Sequence, residues 1–304
     1  MIGSNRPSPY DESTESIGVR EVVVGTAFSD WERERALGMD VLPEDGEDLH
    51  FTIFDLPPGR RHNSQHGAVT WITDWTVTGA GASWARLSEK ADETGLRPFL
   101  LADMPGQPGR PWGTPGSASD EVTGTPLDTT AIDRLDAAAI LADYWWYDEE
   151  TFAEDEELRA ILAPFGPDFP GLSPAIDEEL DPELLRRALL QYTRDVRIGL
   201  VPAQRQADVL ACLGWQGAVN SRLTADITAV LRSWEDRFGA RLMEVGFAEI
   251  RLLVSRPPGT LEAALPIAAE HVAFSEEVHG GLPPAVGEIA RAIVANPFWD
   301  FWWD

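Results

Sequence analysis

The sequence predicts an α+β (mixed α/β) fold whose C-terminal domain is a sheet covered by helices. Three observations predict it. Segments that alternate apolar and polar residues are interleaved with segments of helical period along most of the chain. Residues 195–304 resolve into the order β-α-α-β-β-α-α-β. The chain then closes on FWDFWWD, residues 298–304, in which five of seven residues are aromatic.

Taken in order, residues 1–18 lack periodicity and are expected to be disordered. An N-terminal α/β region follows over 19–103. REVVVGTAF, from Arg20, and HFTIFDL, His50 to Leu56, are candidate strands, the second stopped by Pro57-Pro58-Gly59. GAVTWITDWTV, Gly67 to Val77, is a third, rich in β-branched and aromatic residues. Ser83 is placed to cap the helix SWARLSEKADET, with Gly95 as its C′ residue, and LRPFLLA returns as a strand. Strand, helix and strand in that order predict a parallel crossover.

Residues 104–126 are crowded with Pro and Gly and read as a long loop or linker. An acidic helical region is expected over 127–194. Ile132, Leu135, Ala139, Ala142 and Trp146 recur at helical spacing, and a second helix runs near Glu154 to Leu162. Asp181 followed by Pro182 starts another, with Leu185, Ala188, Leu189 and Tyr192 on one face.

In the C-terminal domain VRIGLVP is a strand and QADVLACLG a helix ended by Gly214. Thr224 is placed to cap a helix whose apolar face is Ile227, Val230, Leu231, Trp234 and Phe238. ARLMEVGF and AEIRLLVS are successive strands, the second turning Ile250, Leu252 and Val254 to one face. A helical region follows Thr260, which Pro266 kinks or delays. Pro284 opens the last helix, with Val286, Ile289, Ala290 and Ile293 inward, and Pro297 stops it. In an extended terminus Trp299, Phe301 and Trp303 share one face. Burying such rings removes roughly 150–250 Å2 each from water, enough to dock a terminus rather than let it fray. A stacking platform for a sugar, nucleotide or peptide is the other use of that face.

The 304 residues carry a formal charge of −27. Such a surface repels nucleic-acid phosphates and anionic membranes and welcomes a basic partner. Arg supplies all the basic residues except Lys90, a usage that also fits a GC-rich genome with acidic proteins throughout. The lone Cys212 forms no internal disulfide and excludes a Cys-rich metal site. No apolar run approaches the roughly 18 residues of a membrane span, and no apolar signal core begins the chain. A cytoplasmic protein without a cofactor is the expectation.

Several phrases carry a resemblance: RIGLVPAQRQADVLACLGWQGAVN (197–220), VLRSWEDRFGARLMEVGF (230–247), AEHVAF (269–274) and the terminal FWDFWWD. Together they resemble the bacterial, mostly actinobacterial, family of the domain of unknown function 4253. SWARLSEKADETGLRPFLLA (83–102) is similar to the segment often found ahead of it. The family carries no established activity, so the resemblance implies no catalytic residues. In its pattern AEH-x-AF is commonly followed by Cys-Pro-Asp, where this chain has Ser275-Glu276-Glu277.

The candidate chemistry is sparse. TGAGASW (78–84), with Asp103 about twenty residues on, mimics a dinucleotide fingerprint, but Trp84 stands where the third glycine allows close packing. His62 and His66 would share a face only on a helix, and RRHNSQHG reads as a loop, so no metal site is assigned. Glu270, His271, Ser275 and His279 hold the groups of a hydrolytic set, although adjacent Glu270 and His271 do not face each other on a helix. His271 and Ser275 are the first catalytic candidates. Glu235, Asp236 and Arg237 fit a solvent-facing helix side or a helix-end salt bridge. From Asp143 to Glu183 there are fourteen acids against one base, Arg159.

Two functions compete. The first is a non-enzymatic adaptor or immunity-type module offering Tyr147, Asp148, Glu149, Glu150, Glu154, Asp155, Glu156 and Glu157 to a basic protein. The second is a small-molecule hydrolase or ligand-binding enzyme near Trp215, Asn220, Trp234 and His271.

Overall fold

A computed structural model of the chain describes Leu42 and residues 56–114, 121–145, 149–275 and 284–303. The strand expected in REVVVGTAF, most of that in HFTIFDL, and the stretch 1–18 lie outside these residues. So do Trp146, Tyr147, Asp148 and His279.

Among the described residues one seven-stranded sheet, ordered β1-β2-β4-β3-β5-β6-β7, organises the chain. Its strands are β1 (Gly59–Asn63), β2 (Val69–Thr73), β3 (Leu96–Leu101), β4 (Arg197–Pro202), β5 (Ala240–Val245), β6 (Glu249–Val254) and β7 (Phe298–Trp302). β1 and β2 form a hairpin. This puts His62 on a strand, where the sequence reads as a loop; the strand ends at Asn63, and His66 does lie in a turn. β2 and β3 both pair antiparallel with β4, so they run parallel to each other with β4 inserted between them. The expected crossover is present, and a strand from the C-terminal region completes it. Residues 19–103 and 195–304 therefore contribute to a single sheet.

The helices are α1 (Ala80–Glu89), α2 (Ala91–Thr94), α3 (Thr129–Ile132), α4 (Ala137–Tyr144), α5 (Glu149–Glu154) and α6 (Glu156–Leu162). They continue with α7 (Pro182–Gln191), α8 (Val209–Leu213), α9 (Thr224–Phe238), α10 (Leu261–Phe274) and α11 (Val286–Ile293). Two expected caps are corrected. Ser83 lies buried inside α1, which starts instead at Gly79, a residue at φ 70°. Thr224 is already helical, and its hydroxyl donates to the Trp215 carbonyl. Both hydroxyls had the right neighbours in sequence; the chain enters each helix earlier than they allow. Asp181 does accept the Glu183 amide (2.8 Å), with Pro182 in the first turn. Pro266 sits inside α10, which starts five residues before it behind a Thr260 cap. The helix expected through Ile132 and Trp146 breaks at Asp133–Asp136, and Asp136 caps a fresh start by accepting the Ala138 amide. Its inward residues are consequently Ile140, Leu141 and Trp145, while Ala139 and Ala142 are exposed.

The stretch read as a loop or linker is tied to the sheet and core around Trp112 and Val122. Trp112 and Val122 are buried, the Trp112 indole donates to the Val245 carbonyl (3.1 Å), and Arg197 donates to the Gly113 carbonyl (2.6 Å). The buried Trp112 and Val122 make this segment part of the core.

Alternation along the strands divides the core. Ile72, Phe99, Leu101, Val201, Leu252 and Phe301 belong to one cluster, shared with α4, α8, α9, α10 and α11. Trp71, Leu100, Ile198 and Leu200 belong to a second, shared with α1 and α7. Phe99 lies so close over β4 that a Cβ at Gly199 would meet its ring at 2.3 Å, so only glycine fits there. No helix among the described residues is long and apolar enough to cross a membrane.

The terminal strand docks as its alternation requires. Trp299, Phe301 and Trp303 are 1%, 5% and 1% exposed, whereas Asp300 faces solvent. Trp299 meets Trp234 edge-on at 5.6 Å and Phe238 at 5.7 Å. Its indole N–H has no partner. Trp299→Ala should therefore cost about 3–5 kcal/mol, measured by urea denaturation followed by circular dichroism. Trp299→Phe should cost far less, because it keeps a ring and removes an unsatisfied donor.

Candidate functional site

The end of the sheet formed by β5, β6 and β7 has two unlike faces. β6 turns Ile250, Leu252 and Val254 into the aromatic core and Glu249 and Arg251 away from it. β7 does the same with Trp299 and Phe301 against Asp300. Simple alternation in β5 would place Glu244 on the core side with Leu242. A register shift between Leu242 and Glu244 reverses this and pairs Glu244 with Arg251. One extra residue thus carries a carboxylate across the sheet.

On that outer face Glu244 is buried and fully engaged. It accepts from the Tyr192 hydroxyl (2.7 Å) and from Arg194, and lies 4.0 Å from Arg251. Arg251 reaches across to β7 and grips Asp300 with two bonds of 2.5 and 3.3 Å. Burial, reinforced by the Glu244 charge, pushes the Tyr192 phenol well above its ordinary range. Burial and the same neighbour raise the Glu249 carboxyl.

All of these groups except Tyr192 line a cavity of about 400 Å3. Arg194, Glu244, Glu249, Arg251 and Asp300 supply its charged wall. Ile250, Pro284, Ile289 and Phe301 supply apolar surface, and His271, Ser275 and Trp302 complete it. The charged residues escaped sequence reasoning except as outward positions of two strands; only their pairing across three strands makes a site.

His271 is 7% exposed and packed among Trp299 (4.5 Å), Phe301 (4.8 Å) and Trp234 (5.1 Å). Burial lowers its pKa to about 3 and leaves it neutral near pH 7. Its Nε2 has no partner. Ser275 donates its hydroxyl to the Trp302 carbonyl (2.6 Å). Glu270 looks elsewhere: it accepts from the Trp234 indole (2.8 Å), the Ser173 amide (2.7 Å) and Arg237 (2.8 and 2.6 Å). Glu270, His271 and Ser275 are thus neighbours in sequence with three separate sets of partners, and form no proton relay. Of the two settings expected for Arg237, the solvent side and a helix-end salt bridge, the structure has the second, an inward pair with Glu270 (2.6 Å). Glu235 and Asp236 pair with Arg205.

Other candidates disperse. Trp215 is buried and donates to the Gly246 carbonyl (3.1 Å), Trp234 is buried on Glu270, and Asn220 lies exposed in a turn; none of the three lines the cavity. In TGAGASW, a Cβ at Gly81 would meet the Leu189 carbonyl at 2.6 Å, so that glycine serves contact with α7. Trp84 donates to the Pro98 carbonyl (3.0 Å). No group of three or more His, Cys, Asp or Glu among the described residues could hold a metal ion. Glu150, Glu154, Asp155, Glu156 and Glu157 are exposed, and Glu149 opens α5. The aromatics beside them turn inward where described. Trp145 is buried, and the Tyr144 hydroxyl donates to Asp226 (2.8 Å) under the Arg222 guanidinium.

Two outcomes follow. Glu270→Gln should destabilise the fold by about 3–5 kcal/mol in urea denaturation, because it leaves Arg237 largely buried without its counter-charge. Above pH 6.5 His271 is neutral whether folded or unfolded, so its full stability is present there. As pH falls from 6.5 toward about 3, the unfolded chain takes up a proton that the folded chain refuses. Stability should then fall by up to about 1.4 kcal/mol per pH unit from this group alone. His271→Gln should remove that component in denaturation curves collected across the range.

A search of curated proteins and a search of solved structures each find no match to the chain. Residues 197–304, which supply β4 to β7 and most of the cavity wall, match the family described as Domain of unknown function (DUF4253).

Proposed function

We propose that this chain is a binding protein for a small polar molecule, seated in the cavity at the β5–β7 end of the sheet. The carrying observation is a cavity of about 400 Å3 whose wall combines an interlocked charged network with His271 and apolar side chains. Perturbed titratable groups gathered in a concavity are the usual mark of a binding or active site. The partners of Glu270 and Ser275 favour binding over the hydrolase that the sequence also allowed. A cytoplasmic location belongs to this proposal. Ligand-observed NMR with a library of small amines, amino acids, carboxylates and sugars tests it. Hits should perturb the amides of Ile250, Asp300 and Trp302; hits that map elsewhere, or none at all, would sink it.

The acidic surface supports a second reading, an adaptor or immunity-type module for a basic protein. Leu158, Ile161 and Leu162 anchor α6 in the core while Glu154 to Glu157 stay exposed. Neutralising Glu154, Asp155, Glu156 and Glu157 together should abolish any salt-sensitive co-purifying basic protein while leaving ligand hits at the cavity unchanged.

A further inference from the structure

We propose that the free edge of β7 docks an extended segment of a basic partner protein, added to the sheet as one further strand with alternating cationic and apolar side chains. The segment pairs with the strand edge that borders the cavity, so it goes beyond the small molecule proposed above and does not depend on it.

β7 ends the sheet, with β6 on one side and no strand on the other among the described residues. Hydrogen bonds at its two ends fix which backbone groups face outward. The Val254 amide donates to the Pro297 carbonyl (2.8 Å), and the Trp303 amide donates to the Ala248 carbonyl (2.9 Å). In an antiparallel ladder such bonds fall on alternate residues. Trp299 and Phe301 therefore bond to β6, while Phe298, Asp300 and Trp302 turn their amides and carbonyls to the open side. Side chains cap that side at both ends. Asn296 Oδ1 accepts the Phe298 amide (3.0 Å), and the Ser275 hydroxyl donates to the Trp302 carbonyl (2.6 Å). Between them, nothing among the described residues meets the amide or carbonyl of Asp300. An open donor and acceptor on one edge residue are a template for strand addition.

The cavity walls specify the side chains of the added strand. Glu249, Arg251 and Asp300 lie on the outer face of the sheet, whereas Phe301 and Ile289 belong to the helix side. One cavity touches both sets, and the two faces meet along the free edge of β7. Successive side chains of a strand point to opposite faces, so one set would reach the charged wall and the other the apolar wall. The charged wall holds three carboxylates, Glu244, Glu249 and Asp300, against two guanidiniums, Arg194 and Arg251, in a chain of net charge −27. A cationic side chain opposite Asp300 complements that excess, and an acidic one adds to it. The same carboxylate disfavours a second copy of this chain. Two β7 edges paired antiparallel about Asp300 would set like charges face to face.

Blocked peptides KVKVKVK and EVEVEVE, titrated into the full chain and followed through the amides of Asp300 and Trp302, test the assignment. The lysine peptide should bind and the glutamate peptide should not. In antiparallel pairing the residue opposite Asp300 turns its own amide and carbonyl toward it and shares its face of the sheet. N-methylation of the lysine amides should therefore abolish binding, and N-methylation of the valine amides should leave it intact. Asp300→Ala keeps the edge amide but loses the carboxylate, and should weaken the lysine peptide about two- to five-fold. Asp300→Pro removes the edge donor without touching the ladder to β6 and should abolish binding. The methylated peptides carry the test even if that variant fails to fold. If the glutamate peptide binds as well as the lysine peptide, if both methylated forms bind like the parent, or if no peptide binds, the proposal is overturned. A dimer of the free chain in sedimentation that Asp300→Pro dissociates would give the edge to a second copy and overturn it as well.

Discussion

The buried carboxylate of Glu270 is the constraint around which the C-terminal half is arranged. It is fully enclosed, and every contact it makes is a donor from another element: an indole and a guanidinium from α9, and a backbone amide from the segment before α7. A charge in that position is tolerable only because both oxygens are saturated and a counter-charge is bound in two places. In return it pins the Trp234 ring. Against that ring pack His271, Phe274, Trp299 and Phe301, with centroids 4.6–5.6 Å away. A chain terminus rich in indoles would otherwise have many nearly equivalent ways to pack. A hydrogen-bonded indole in the centre reduces that number by fixing where the first ring lies.

The polar site exists on the reverse side of the same strands. β6 and β7 spend alternate residues on the aromatic core, so the intervening Glu249, Arg251 and Asp300 face outward in register with one another. The bulge in β5 adds Glu244 to that face, and the end of α7 brings Tyr192 and then Arg194 over it. His271 belongs to both halves: it is packed within the aromatic cluster and it lines the cavity. The rigidity of one face therefore sets the geometry of the other. That is the arrangement expected of a binding site built on packed strands rather than on loops.

Much of the architecture was legible because it depends on local periodicity. Ile227, Val230, Leu231, Trp234 and Phe238 repeat at helical spacing and all are buried. Trp299, Phe301 and Trp303 alternate and all are buried. The readings that changed are those in which a local rule met a distant partner. Ser83 and Thr224 are good caps, yet α1 begins at a left-handed glycine and Thr224 turns its hydroxyl to Trp215. Arg237 makes a salt bridge, as its place at a helix end allows, but with Glu270, 2.6 Å away and 33 residues later. The Pro- and Gly-rich stretch has the composition of a linker, but Trp112 and Val122 hold it to the sheet.

The sequence by itself determined which residues alternate and which recur every three or four positions. Through that it determined the element order of residues 195–304 and the inward face of the closing strand. It also placed Glu249, Arg251 and Asp300 on outward positions of their strands. Only the tertiary structure decided that β4 enters between β2 and β3, that a one-residue bulge moves Glu244 to the charged face, and that Arg194 and Arg251 pair there with Glu244 and Asp300. The reason is physical. Periodicity is a property of consecutive residues, whereas the pairing of charges depends on strand register and on contacts between residues some 50 positions apart, as with Arg194 and Glu244.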